Sequence, residues 1–333
     1  MTSFRRILVW GLILCSLTAA AACRKKEVGP PSSSGRTLDI AVIPKGTTHE
    51  FWKAIHSGAA RAGRELGVKI LWKGPQREDD RAQQITVVED FISRGVDGIV
   101  LAPLDDRALC APVRDAVREG IPVVIIDSGL QGSDFISFVA TDNTKGGVLA
   151  ARRLVEILGG SGDIFLIRYQ EGSASTTERE QGFLDTMMKD YPAIRILVKD
   201  QHAGTTTESA YQLAENLLGR FPDVDGIFCP NESSTFGTLR ALQESGLAGK
   251  VKFVGFDSSP KLVQGLRDGH IHGLVLQNPT RMGYLGVVLA VKHLRGETVE
   301  ARIDTGVTIA TGETMDTPEI KALLEPEFFQ DRD

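Results

Sequence analysis

From residue 38 onward, short β-branched runs alternate with amphipathic stretches, and that alternation limits the chain more than any other feature. Parallel strand neighbours need a long crossover, ordinarily a helix, so the pattern is that of βαβ units around parallel sheets. A first set places strands at 39–44, 68–73, 98–103 and 121–127, with helices at 50–66, 81–94 and 106–119. A second set places strands at 163–169, 194–200, 226–230, 252–256 and 271–276, with helices at 145–158, 177–190, 207–219, 234–244 and 260–268. Uninterrupted apolar runs such as Ile121-Pro122-Val123-Val124-Ile125-Ile126 belong in sheets covered on both faces. Gly67, Gly95, Gly120 and Gly246 fall just past helix ends, where a left-handed residue without a Cβ is favoured. About nine strands in two similar sets exceed one core, so the expected class is α/β, with two doubly wound, Rossmann-like parallel-sheet lobes. Residues 138–143 join the sets without a flexible linker and read as an extended, hinge-like crossing.

Ahead of this body, Arg5 and Arg6 precede an apolar run from Ile7 to Leu17 and a small-residue stretch, Thr18 to Ala22, that ends at Cys23. A basic start, an apolar stretch too short for a comfortable membrane span and small residues at a cleavage point make a secretory signal peptide over residues 1–22. Cys23, directly after Ala20-Ala21-Ala22, resembles the lipobox of bacterial lipoproteins, in which the cysteine becomes the lipidated N-terminus; Ala20 stands where that motif usually has Leu. Residues 24–35 are rich in Lys, Pro, Ser and Gly, a composition for a tether and not a core. The expected location is the periplasm or cell envelope, with membrane anchoring through a lipid on Cys23.

Taking the first 22 residues from 333 leaves 311, room for about two domains. Without Arg5 and Arg6 the 38 basic residues fall to 36 against 43 acidic, a formal charge of −7. With no basic tail, and with Lys and Arg dispersed among acids, nothing favours nucleic acid. Two of the four cysteines, Cys15 and Cys23, belong to the N-terminal segment. Cys110 and Cys229 sit in apolar patterns and read as buried free thiols in preference to a disulfide or metal pair. His49-Glu50 lacks the second His of H-E-x-x-H, and the six histidines show no paired ligand spacing, so neither a metal nor a cofactor is expected. The G-x-x-x-x-G-K-[ST] phosphate loop and the G-x-S-x-G nucleophile elbow are both missing.

In open parallel sheets ligands bind at the carboxyl ends of the strands. The notable polar residues fall there: Lys45 after the first strand, Asp127 at the end of the fourth, Asn231 after 226–230, Asp257 after 252–256 and Gln277 after 271–276. Glu50-Phe51-Trp52 and Thr177-Glu178-Arg179 open helices on the same rims, so two facing lobes line one cleft. A sugar suits these side chains, because its C–H faces stack on rings such as Phe51 and Trp52. Its hydroxyls exchange bidentate hydrogen bonds with Asp, Asn, Gln and Arg. Two carboxylates in a closed cleft are costly unless ligand hydroxyls and Arg179 pair with them, which couples ligand to closure.

At these residues the chain resembles the periplasmic pentose- and hexose-binding proteins of ABC importers, most nearly the ribose-binding type. The matching stretches are Ile40-Ala41-Val42-Ile43-Pro44 with Phe51-Trp52, Ile121 to Asp127, Thr141-Asp142-Asn143 with Gly146-Gly147, and Glu178-Arg179-Glu180-Gln181-Gly182-Phe183. They continue with Phe228-Cys229-Pro230-Asn231-Glu232, Val254-Gly255-Phe256-Asp257 and Leu276-Gln277-Asn278-Pro279, in family order across nearly all of the chain after Cys23. The resemblance implies the type I periplasmic binding protein fold, with three crossings near Thr141, Gln277 and Gly306. It also implies an N-terminal lobe of 38–141 plus 278–306, including a helix at 281–294, and a C-terminal lobe of 142–277 plus 307–333, after a tether of 23–37. It further implies that Phe51 and Trp52 sandwich the sugar while Asp127, Arg179, Asn231, Asp257 and Gln277 hold its hydroxyls. Lys45 and His49 fall on further ligand-contacting positions. Ser128 stands where the ribose-binding type has a second Arg, and Gly204 near where a further aromatic is expected, which points away from ribose itself. Lys45 either compensates for that Arg or recognises a more acidic or phosphorylated ligand.

The expected function is thus a monomeric binding protein that delivers a monosaccharide or derivative to an ABC permease in the membrane and performs no chemistry on it. A ligand-sensing receptor domain for a histidine kinase or chemoreceptor is the alternative that the same cleft serves. A LacI-type repressor shares the fold, but residues 1–35 hold a signal and tether where a helix-turn-helix belongs. Plainer readings also exist: Phe51-Trp52 as core packing, Lys45 as a solvated side chain, and Arg179 as a surface partner of Glu178 and Glu180. Asp127 and Asp257 as a glycosidase pair, and Asn231-Glu232-Ser233 as a glycosylation sequon, are two more. Asp142 and Asn143 read as caps of the helix near Lys145.

Overall fold

Strand β1 (Asp39–Ile43) sets the pattern for both halves of the molecule: its side chains alternate between two cores, Ile40 and Val42 on one face and Ala41 and Ile43 on the other. The computed structural model describes residues 36–326 and Phe328; the expected signal segment, Cys23 and the expected tether up to residue 35 lie outside the described residues. After β1 come α1 (Glu50–Leu66), β2 (Lys69–Trp72), α2 (Arg81–Arg94), β3 (Gly98–Leu101), α3 (Cys110–Arg118), β4 (Val123–Ile126) and β5 (Ser137–Ala140). The second run is α4 (Asn143–Leu158), β6 (Gly162–Arg168), α5 (Ala174–Asp190), β7 (Ile194–His202), α6 (Thr207–Arg220), β8 (Gly226–Phe228), α7 (Glu232–Glu244), β9 (Lys252–Phe256), α8 (Pro260–Arg267) and β10 (Gly273–Leu276). The chain ends with α9 (Pro279–Leu294), β11 (Arg302–Asp304), β12 (Thr308–Ala310) and α10 (Pro318–Leu324).

Two six-stranded sheets result, in the orders β11-β5-β4-β3-β1-β2 and β12-β10-β9-β8-β6-β7. All pairings are parallel except β10 with β12. Each lobe therefore has the 2-1-3-4-5 order of a doubly wound sheet, whose ligand crevice lies at the carboxyl ends where the order reverses. Helix α9 packs on β3, β4 and β5 of the first sheet, and α4 packs on the second. The chain passes from one sheet to the other between β5 and α4, between β10 and α9, and between β11 and β12. The first and last crossings are stitched together: Thr305 N–H donates to the Ala140 carbonyl (3.0 Å) and Asp142 N–H to Asp304 Oδ1 (3.3 Å).

Three differences from the sequence reading matter. Residues 138–140 form most of β5, paired to β4 and β11, and only residues 141–142 cross between lobes. Helix α3 starts at Cys110 and not at Asp106, because Asp105 Oδ1 accepts the Arg107 and Ala108 N–H groups (2.9 and 2.8 Å) and holds a turn there. Helices α5 and α7 start earlier than expected, at Ala174 and Glu232, which brings new side chains to the cleft. Gly67, Gly95, Gly120 and Gly246 all have positive φ past helix ends. Cys110 and Cys229 are unbridged; Cys229 is buried, as expected, whereas Cys110 is only half-buried.

Two helix pairs touch backbone to backbone. A Cβ on Gly58 of α1 would lie 1.9 Å from the Thr280 carbonyl oxygen, and one on Gly283 of α9 2.0 Å from that of Ile55. The second lobe repeats the device, with Gly147 of α4 against the Arg179 carbonyl oxygen (2.0 Å) and Gly182 of α5 against that of Thr144 (2.3 Å).

Candidate functional site

At the carboxyl ends of the strands, two aspartates leave the normal backbone. Asp127 after β4 and Asp257 after β9 have φ of 63° and 70°, and they are the non-glycine residues with positive φ among the described residues. Each still bonds the sheet through its N–H, Asp127 to Val139 (3.0 Å) and Asp257 to Val275 (2.8 Å). Ser128 N–H bonds back to the Ile126 carbonyl at 2.7 Å, closing a tight γ-turn around Asp127. A left-handed aspartate costs about 1–3 kcal/mol, and such strain collects at binding sites.

These turns face a cavity between the lobes. The first lobe lines it with Lys45, His49, Phe51, Trp52, Glu78 and Asp127; the second with Tyr169, Ser175, Thr176, Arg179, Asn231, Glu232 and Asp257; and Gln277 comes from a crossing. A larger, more apolar groove, running out to Leu324 and Phe328, shares Phe51, Asp257 and Gln277 with it. Nine of the ten residues singled out in the sequence line the polar cavity. Ser128 does not: it is fully buried behind the wall, its hydroxyl accepting the Ser175 N–H at 3.1 Å.

Lys45 is 3% exposed, which rules out a solvated side chain. Its ammonium reaches Asp127 Oδ2 (3.0 Å), Ser175 Oγ (3.0 Å) and Ser173 Oγ (3.3 Å), so all three donors are used within the protein and none is left for a ligand phosphate. Glu78, from the loop after β2, accepts from His49 Nδ1 (2.6 Å), Trp52 Nε1 (2.7 Å) and, across the cleft, the Tyr169 hydroxyl (2.5 Å). Burial opposes charge on both members of the His49–Glu78 pair, but their hydrogen bond and attraction prevail, raising His49 to about 9 and lowering Glu78 to about 2. Phe51 and Trp52 meet edge to face, centroids 5.0 Å apart at 88°. A sugar can stack on either ring but cannot be clamped flat between the two.

In the second lobe Arg179 is buried with its guanidinium carbon over the Phe256 ring, 4.0 Å from the centroid. Its Nε donates to Asn143 Oδ1 and its Nη1 to the Pro230 carbonyl, both at 2.9 Å; neither neighbouring Glu is its partner. Asp257 accepts Gln277 Nε2 (2.7 Å) and the Glu232 N–H (3.0 Å), and burial raises its carboxyl above the usual range. Gln277 Oε1 is buried with no partner among the described residues, in a side chain that lines the cavity. Asn231 both lines the cavity and caps α7 through Ser234 N–H (3.3 Å); with Asn231 itself 7% exposed, the sequon has no room for a glycan. Asp142 caps α4 through Lys145 N–H (2.9 Å), as its sequence position implied, whereas Asn143 instead accepts from Arg179.

Sequence reasoning missed Glu78, Tyr169, Ser175, Thr176 and Glu232. Tyr169 directly follows β6, so the strand-end rule that found Asp127 also covers it. Ser175, Thr176 and Glu232 were hidden by helix starts placed two or three residues late. Glu78 lies in a polar loop whose pattern carries no signal.

A model of the periplasmic binding protein domain matches residues 40–298. The chain belongs to the periplasmic binding protein family. A ribose import binding protein of Haemophilus influenzae is 29% identical over 293 residues, 88% of this chain and 98% of that one. A D-ribose/D-allose-binding protein of Pseudomonas aeruginosa is 32% identical over 276 residues, 80% and 85% of the two chains. A carbohydrate transporter solute-binding protein from Agrobacterium radiobacter, solved with D-arabinose, superposes with a TM-score of 0.85 at 36% identity, covering 88% of this chain and all of its own. An ABC transporter solute-binding protein from Agrobacterium vitis with bound D-fucose gives 0.83 at 35%, covering 86% and 99%. The two sheets here present their carboxyl ends to one interlobe cleft, in which Lys45 pairs with Asp127 and His49 with Glu78 while Gln277 Oε1 has no partner among the described residues.

Proposed function

We propose that this chain is the solute-binding component of an ABC importer, closing its lobes around one neutral monosaccharide and passing it unchanged to a membrane permease. The observation that carries the reading is the interlobe cavity, in which Lys45 and His49 are paired with Asp127 and Glu78 while planar hydrogen-bonding groups line it at Asp257, Gln277, Asn231 and Arg179. The committed state of Lys45 favours an uncharged sugar over a sugar phosphate or acid. Phe51 and Trp52 supply the apolar stacking surface. A glycosidase pair is disfavoured, because Asp127 is tied to Lys45 and Asp257 to Gln277 and a backbone N–H. The Ala20-Ala21-Ala22-Cys23 sequence supports export and a lipid anchor on Cys23. Only the closed arrangement brings both sets of side chains together, so ligand shifts the open–closed equilibrium toward it.

A thermal-shift screen tests this with D-ribose, D-allose, D-arabinose, D-fucose, D-tagatose, pentitols and sugar phosphates. A cognate sugar at a thousand times its Kd adds about 4 kcal/mol and raises the melting temperature by several degrees. Silence from every neutral sugar, or a response to phosphorylated ones alone, sinks the proposal.

A further inference from the structure

Helices α1 and α5 open at the cleft, yet neither is capped by its own N-cap side chain: His49 and Ser173 make no such bond. Their neighbours α4, α7, α8 and α9 are capped by their own Asp142, Asn231, Ser259 and Asn278. The missing caps come from across the cleft. Glu232, at the start of α7 in the second lobe, accepts the N–H groups of Glu50 (3.3 Å) and Phe51 (3.1 Å) at the start of α1 in the first. Ser128, after β4 in the first lobe, accepts the Ser175 N–H (3.1 Å) at the start of α5 in the second. The first-turn N–H groups of a helix have no partner within it, so each bond fills a vacancy that the opposite lobe alone supplies. Both acceptors are buried, at 9% and 0% exposure.

We propose that Glu232 and Ser128 are reciprocal positioning residues, each completing in trans the helix end that carries ligand-lining side chains of the other lobe. α1 carries Phe51 and Trp52; α5 carries Ser175, Thr176 and Arg179. Closure then orders the cavity through backbone bonds as well as through the ligand, and separating the lobes uncaps both helices at once. The affinity part of this inference rests on the sugar-binding reading; the capping part does not.

Amide hydrogen exchange on the full chain decides it, measured without ligand and with D-ribose, D-allose, D-arabinose and D-fucose as probes. Glu232→Ala speeds exchange at Glu50 and Phe51, and Ser128→Ala at Ser175, by about three- to thirtyfold, the range that loss of a cap produces. The Kd of whichever probe binds rises by a similar factor while the ligand-free melting temperature holds. Glu232→Gln and Ser128→Thr, which keep an acceptor, recover most of both effects. Equal exchange at the three amides in wild type and alanine variants, in both states, overturns the proposal. So does a ligand-free melting temperature that falls in step with affinity. If no probe binds the wild type, it is the sugar reading that fails, and the same exchange comparison in a chain held closed by a cysteine pair engineered across the cleft decides the caps.

Discussion

Glu78 shows how much a single buried carboxylate can organise. It gathers His49 and Trp52 from its own lobe and Tyr169 from the other, with no solvent to share the work. The pair it makes with His49 has a definite pH window. His49 is raised to about 9, so its contribution is complete below its ordinary 6.5 and is lost as pH rises through 9. Glu78 is lowered to about 2, so its contribution is complete above its ordinary 4.5 and is lost as pH falls through 2. Glu78→Gln should therefore destabilise by about 3–5 kcal/mol between pH 4.5 and 6.5, as expected on breaking a buried pair, with the gap to wild type narrowing on either side. Melting curves from pH 3 to 10 check this; a gap that does not change with pH would count against it. The strand-end aspartates were legible in the sequence because a fixed topology rule locates them. Glu78 was not, because its role depends on the distant Tyr169 reaching the same spot.

Glycine contacts between helices dominate the next scale. Gly147→Ala drives a methyl group into the Arg179 carbonyl, so α4 and α5 must separate. The expected cost is about 1–3 kcal/mol from overpacking, with weakened sugar binding because Arg179 rides on the displaced helix. Gly219→Ala in α6 is the control: a Cβ there meets nothing within 4 Å, and the change should stabilise by about 0.5–1 kcal/mol. Denaturant unfolding of both variants measures the contrast, and similar losses for the two would remove the steric argument. The long helices and central strands of both lobes were readable from period and apolar runs. The short strands β5, β11 and β12 were not: β11 is Arg-Ile-Asp, with one apolar residue, and its partner β5 lies more than 150 residues earlier. No local pattern can announce a strand whose stability comes wholly from a remote edge.

For the molecule as a whole, the bonds that span the cleft set the balance between open and closed. The Tyr169 hydroxyl donates to Glu78 from the opposite lobe, so Tyr169→Phe removes a charge-assisted bond made on closure and leaves each lobe's packing intact. The loss should be about 1.5–3 kcal/mol in sugar affinity, roughly ten- to a hundredfold in Kd, with little change in ligand-free melting. Titration calorimetry beside a ligand-free melt separates the two; an equal loss in both would make Tyr169 an ordinary core residue. The three crossings carry a consequence for biosynthesis. The first sheet lacks its sixth strand until residues 302–304 are present, and the second until residues 308–310. A chain threaded N-terminus first through a ribosome or a secretion channel thus emerges almost entirely before either lobe has all its strands, which keeps it pliable for the whole of the passage.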